Sequence, residues 1–79
     1  MKLDDIYSEK YQFLIEKLRE ARLEAGLTQE EVANLLGKSQ YFVSRSETGE
    51  RRVDVVELEA FSVIYQKPIA YFLPSFSDE

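Results

Sequence analysis

Apolar positions recur at steps of three and four between residues 11 and 25, where Tyr11, Leu14, Ile15, Leu18, Ala21 and Ala25 are interleaved with Glu, Lys and Arg. That period predicts an amphipathic helix with one buried stripe. Gly26 stands where a left-handed C-terminal cap is wanted, and a second helix start follows at once. Thr28 and Glu31 have capping-box spacing, with Leu27 and Val32 flanking them as a hydrophobic staple. The second helix is expected to bury Val32, Ala33, Leu35 and Leu36 and to stop at Gly37; it is too short to hold without packing. After Gly37-Lys38-Ser39, with Ser39 as N-cap, a third helix is expected over about 40–48. Val43 and Glu47 share one side of it, with Phe42 at the border. Tyr41, Ser44, Arg45 and Thr48, at i, i+3, i+4 and i+7, share the other, with Gln40 beside them. That outer stripe carries hydrogen-bonding side chains and no acid.

Gly49 ends the third helix, and Glu50-Arg51-Arg52 reads as a solvated loop. Asp54 and Glu57 then repeat the capping-box spacing between Val53 and Leu58. On a fourth helix Val55, Leu58, Phe61, Ser62 and Tyr65 can face inward. Pro68 suits the first turn of a short fifth helix ending near Leu73, and Pro74 stops it. Sustained period-two runs and Asn-Gly or Asp-Gly turns, the signals of strands, are missing. The expected fold class is all-α, a compact five-helix domain with a central helix-turn-helix unit at about 28–47. Residues 1–79 are read as a single domain with its core at about 11–73.

Composition narrows the chemistry. A chain of 79 residues buries only roughly 60% of its unfolded surface, which leaves one small core and little room for an elaborate active site. There is no Cys and no His, which removes disulfides, thiolate metal sites and the commonest general base. Glu30/Glu31 and Glu57/Glu59 are the carboxylate clusters away from the chain ends, and neighbouring helix residues do not converge on one point. An enzyme is therefore not expected, and neither is a cofactor, a metal or a small-molecule ligand. The longest apolar stretch, at 60–65, is interrupted by Ser62 and is far short of a membrane span. Met1-Lys2-Leu3-Asp4-Asp5 offers no apolar signal region. A cytoplasmic protein without a membrane partner is expected.

The net charge of −5 with a pI near 4.7 argues, taken whole, against a nucleic-acid partner. The distribution reads differently. Residues 1–37 are net −3 and residues 53–79 net −4, whereas 38–52 carry Lys38, Arg45, Arg51 and Arg52 against Glu47 and Glu50, net +2. The one basic stretch coincides with the third helix and its flanks.

The run Leu27-Thr28-Gln29-Glu30-Glu31-Val32-Ala33, continued by Leu36-Gly37-Lys38-Ser39-Gln40-Tyr41-Phe42-Val43-Ser44-Arg45 and Glu47-Thr48-Gly49-Glu50-Arg51-Arg52, resembles the Cro/phage-repressor family, also called the xenobiotic-response-element family, of helix-turn-helix transcriptional regulators. The likeness extends from about Leu14 to Leu73. It implies the lambda-repressor-like fold and double-stranded DNA as partner. By the resemblance, Gln40, Tyr41, Ser44 and Arg45 face the major groove as base readers, where an amide pairs with adenine and a guanidinium with guanine. Gln29, Lys38, Ser39, Thr48, Arg51 and Arg52 are implied backbone contacts, which set affinity and register. Arg22 and Glu47 match the family's pair tying helix one to the end of helix three. Ser46 departs from the pattern, since the family usually places a large apolar side chain there. Tyr41 or Phe42 turning inward, or Tyr7, Tyr11 and Phe13 closing over the gap, are the candidate compensations.

The function implied is a sequence-specific DNA-binding transcriptional regulator, a repressor on a near-palindromic operator that binds as a homodimer, two recognition helices lying about 34 Å apart. Tyr71, Phe72 and Phe76 in the C-terminal aromatic segment are the candidate dimer contact. The alternative reading is a protein-binding module, such as an antitoxin-like or anti-regulator subunit, whose acidic ends engage a basic partner.

Overall fold

A computed structural model describes residues 3–74, with side-chain surroundings from residue 8 onward. Four α-helices follow one another: α1 (Leu3–Glu24), α2 (Gln29–Leu36), α3 (Gln40–Thr48) and α4 (Val55–Tyr65). A single 3-10 turn, Ile69–Phe72, follows them. No strand occurs among the described residues. The fold is all-helical, but the expected fifth helix is this 3-10 turn. Pro68 lies outside it as the N-cap in extended conformation, and between Pro68 and Pro74 too few backbone N–H groups remain to set up an i to i+4 ladder.

α1 begins at Leu3 rather than near Tyr11 and is 22 residues long. Its first two turns carry Asp4, Asp5, Ser8, Glu9 and Lys10, so the apolar period that announces a helix is diluted there. The remaining boundaries are set by local chemistry. The Thr28 hydroxyl accepts from the Glu31 N–H while Glu31 accepts from the Thr28 N–H, and Asp54 and Glu57 repeat the exchange at α4. Each satisfies two N–H groups that a helix start leaves unpaired. At the other end of α2, Gly37 adopts φ 70°, and the N–H of Lys38 reaches back to the Ala33 carbonyl at 2.9 Å. This left-handed cap folds the chain directly into Ser39, the N-cap of α3.

The core takes Ile15, Leu18 and Ala21 from α1, Val32 and Ala33 from α2, Val43 from α3, Leu58, Phe61 and Tyr65 from α4, and Phe72 from the 3-10 turn. Full burial of each larger side chain contributes about 1.5–3 kcal/mol. Ala33 is small and buried on α2, the helix that packs most extensively against α3. Three positions expected to face inward are exposed instead, Ala25 because it lies just past the end of α1. Leu35 is 64% exposed and Val55 73% exposed, because α2 turns its Val32/Ala33 edge inward and α4 its Leu58/Phe61/Ser62/Tyr65 edge. Phe72 is 0% exposed, so it is a core residue and not the dimer contact expected of it. Tyr71 is half-buried, edge-on to Phe72 at 5.0 Å, and Phe76 lies outside the described residues.

Ser46 is fully buried, and its hydroxyl donates to the Phe42 carbonyl one turn back at 2.7 Å. The polar atom is thus satisfied within its own helix. Of the candidate compensations, Tyr41 stays 71% exposed, while Phe42 is half-buried and stacks on Phe61 at 6.3 Å. Tyr11 engages the loop after α3 through its hydroxyl. The Tyr7 side chain lies outside the described ones.

Candidate functional site

α3 is divided lengthwise. Val43 and Ser46 are buried, whereas Gln40, Tyr41, Arg45 and Thr48 are exposed and Ser44 is half-buried. The division follows from the 3.6-residue period, which places 41, 44, 45 and 48 on one ridge. Gln40, Tyr41 and Ser44 line a shallow depression on that ridge. The Arg45 guanidinium rests 5.1 Å from the Tyr41 ring centre and 3.9 Å from the Glu50 carboxylate. These exposed contacts are weak restraints. The sequence reading of the outer stripe did not include Glu50 as a neighbour of Arg45; only the bend at Gly49, with φ 87°, brings it there.

Behind the ridge lies a polar relay. Arg22 is buried on α1, and its Nε and Nη2 grip the two oxygens of Glu47 at 2.6 and 3.1 Å, while Nη1 donates to the Leu27 carbonyl at 3.0 Å. Hydrogen bonding to Glu47 raises the Arg22 pKa against the opposing effect of burial. The same Glu47 Oε1 accepts from Gln29 Nε2 at 3.0 Å, and Gln29 Oε1 accepts from Gln40 Nε2 at 3.4 Å. The chain of contacts therefore runs from α1 through α3 to the first residue of α2 and back to the start of the ridge. A bidentate pair of this kind fixes orientation as well as energy. The Tyr65 hydroxyl is buried within electrostatic reach of the pair and has no hydrogen-bond partner; burial first, and the Glu47 charge second, push its pKa up.

The other implied backbone contacts fall in three places. Ser39 caps α3, its Oγ accepting from the Phe42 N–H at 3.4 Å, and Lys38 stands beside it, 5.4 Å from the Phe42 ring centre. Thr48 closes α3 by donating to the Arg45 carbonyl at 3.3 Å and accepting from the Glu50 N–H at 3.4 Å. Arg51 and Arg52 follow, and they differ. Arg51 forks onto Glu57 at 2.9 and 2.5 Å, lies 4.0 Å from the Phe42 ring centre and donates to the Arg52 carbonyl at 3.0 Å. The Arg51 hydrogen bonds pull the Glu57 carboxyl below its usual range, while burial opposes them. Arg52 is exposed, its guanidinium 4.2 Å from the Tyr11 ring centre. Sequence reasoning missed Tyr11, Phe42 and Glu57 as supports of this turn. Their separations from it in sequence follow no local motif, so no signal short of the fold could have found them.

The site is thus a ridge of one amide, one phenol, two hydroxyls and one guanidinium, flanked by cations and braced from behind. It has the donors to read base edges and to meet phosphate oxygens. Among the described residues no helix is long and apolar enough to cross a membrane, and no group of three or more His, Cys, Asp or Glu side chains could hold a metal.

Comparison with known proteins follows the same lines. A helix-turn-helix domain family model matches residues 14–69. Among solved structures, an XRE-family like protein from Pseudomonas syringae pv. tomato str. DC3000 superposes with a TM-score of 0.83 at 40% identity, over 89% of this chain and 85% of that one. The DNA-binding domain of BldD from S. venezulae superposes with a TM-score of 0.72 at 29% identity, over 84% of this chain and 99% of the other. Comparison with curated protein sequences finds no match.

Proposed function

Because the chain belongs to the XRE/Cro-type helix-turn-helix family, we propose that it is a sequence-specific DNA-binding transcriptional regulator, a repressor acting as a homodimer on a near-palindromic operator. The observation that carries this reading is the lengthwise division of α3, which turns Tyr41, Ser44 and Arg45 outward while Val43 and Ser46 anchor the helix. In the proposed complex α3 lies in the major groove. Gln40 and Arg45 pair with base edges, with Tyr41 and Ser44 beside them. Gln29, Lys38, Ser39, Thr48 and Arg52 meet the phosphates, and Arg51 supports them through its pair with Glu57. The net charge of −5 fits this reading because the basic stretch lies at the ridge and the acidic excess elsewhere. The same acidity is what an alternative protein-binding module would use.

Selection of bound fragments from random duplex DNA at two salt concentrations tests the proposal. A motif with two-fold symmetry, and affinity that falls with salt, is expected. Arg45→Ala should then change the preferred motif, losing about 1–3 kcal/mol of discrimination at one base pair. Arg52→Ala should weaken all sequences alike and flatten the salt dependence. No enrichment at either salt concentration would favour the protein-binding alternative.

A further inference from the structure

The hydroxyl of Tyr11 makes two hydrogen bonds across the molecule. It accepts from the Val53 N–H at 3.0 Å and donates to the Arg51 carbonyl at 3.3 Å. These two backbone groups lie immediately on either side of Arg52, so one phenol on α1 brackets a single residue of the basic turn. The ring of the same tyrosine lies under the Arg52 guanidinium, 4.2 Å from its centre, where the negative face of an aromatic ring attracts a cation. Arg51 lends the bracket its backbone carbonyl, whereas its side chain takes no part, since its guanidinium donates to Glu57 and the Arg52 carbonyl. Of the two adjacent arginines, one is spent on holding the turn and the other is held by α1.

We propose that Tyr11 is a positioning residue that presents Arg52 to a phosphate of the DNA backbone. Resting on the DNA-binding reading above, the proposal adds that α1 sets the geometry of the basic turn. Fixing the backbone on both sides of Arg52 removes the freedom of the turn before contact, and the ring directs the side chain. A charge presented in this way loses less entropy on meeting a phosphate than one on a free loop. Affinity is raised for every sequence, because a phosphate carries no sequence information.

The test uses the full chain, a mixed-sequence duplex of about 20 base pairs and the variants Tyr11→Phe, Arg52→Ala and their combination. Amide exchange without DNA comes first. In Tyr11→Phe the Val53 N–H should exchange at least roughly tenfold faster while the helices keep their protection; an unchanged Val53 rate would overturn the bracket. With DNA, Arg52→Ala should lower the slope of log K against log salt by about 0.9, the amount for one phosphate. Tyr11→Phe should fall between that variant and the parent, weakening all sequences by roughly three- to tenfold. The double variant should match Arg52→Ala alone, and Arg52→Lys should restore most of the slope. Parent-like affinity and slope in Tyr11→Phe, or losses that add in the double variant, would overturn the proposal alone. A parent that binds no duplex would overturn the DNA-binding reading and this proposal together.

Discussion

The Glu47 carboxylate is where folding and the exposed ridge of α3 touch. One of its oxygens accepts from both Arg22 and Gln29, and Gln29 in turn holds Gln40. Both ion-pair side chains are largely shielded, at 10% and 4% exposure, so removing one leaves the other charged and desolvated. Such a loss typically costs about 3–5 kcal/mol. Arg22→Ala is therefore expected to lower the melting temperature by more than about 10 °C, given about 4–8 °C per kcal/mol for a domain of this size. Circular-dichroism melting measures it, and a parent-like curve would mean that the pair adds nothing. Replacing both members together, Arg22→Met with Glu47→Leu, should recover a large share of the loss, because the desolvation cost disappears with the charges.

Helix ends in this chain are written in side chains close to them in sequence, and that governs how much of the fold was legible. Thr28 with Glu31, Ser39, Asp54 with Glu57, and the three glycines announce α2, α3 and the start of α4 because each satisfies or frees backbone within four residues of itself. Legibility fails where the deciding contact is distant. Leu35 and Val55 are apolar at helical spacing, yet they point outward, since which edge of a short helix faces inward is settled by the neighbours it meets. The fork of Arg51 onto Glu57 over Phe42 and the bracket of Tyr11 around Arg52 were invisible for the same reason. The glycines also differ among themselves. Gly26 and Gly49 both have positive φ, 73° and 87°, but a Cβ on Gly26 would meet nothing within 4 Å, whereas one on Gly49 would lie 3.1 Å from Ile15 Cδ1. Gly26→Ala should cost about 1–2 kcal/mol in backbone strain. Gly49→Ala should cost about 1 kcal/mol or more beyond that, as α1 is pushed from the end of α3. Urea midpoints compare the two, and coincident midpoints would show that the Ile15 tip yields without cost.

At the scale of the whole molecule, the core among the described residues is ten buried apolar side chains contributed by all four helices and the 3-10 turn. With total stability expected at about 0.05–0.15 kcal/mol per residue, no element holds by itself. Phe72, in the terminal 3-10 turn, is among the largest of the fully buried side chains, and Phe72→Ala should cost about 3–5 kcal/mol. Its unfolding midpoint in urea should fall by half or more, whereas Val63→Ala, at a position 67% exposed, should melt within a few degrees of the parent. Equal losses at the two sites would show that the turn is not part of the cooperative unit. The division of α3 into an anchored side and an exposed side has a consequence for descent. Val43 and Ser46 answer to the interior, while Tyr41 and Arg45 answer to whatever lies outside. On the proposed reading, a lineage can therefore exchange its outward letters one at a time, acquiring a new target through ancestors that all remain folded.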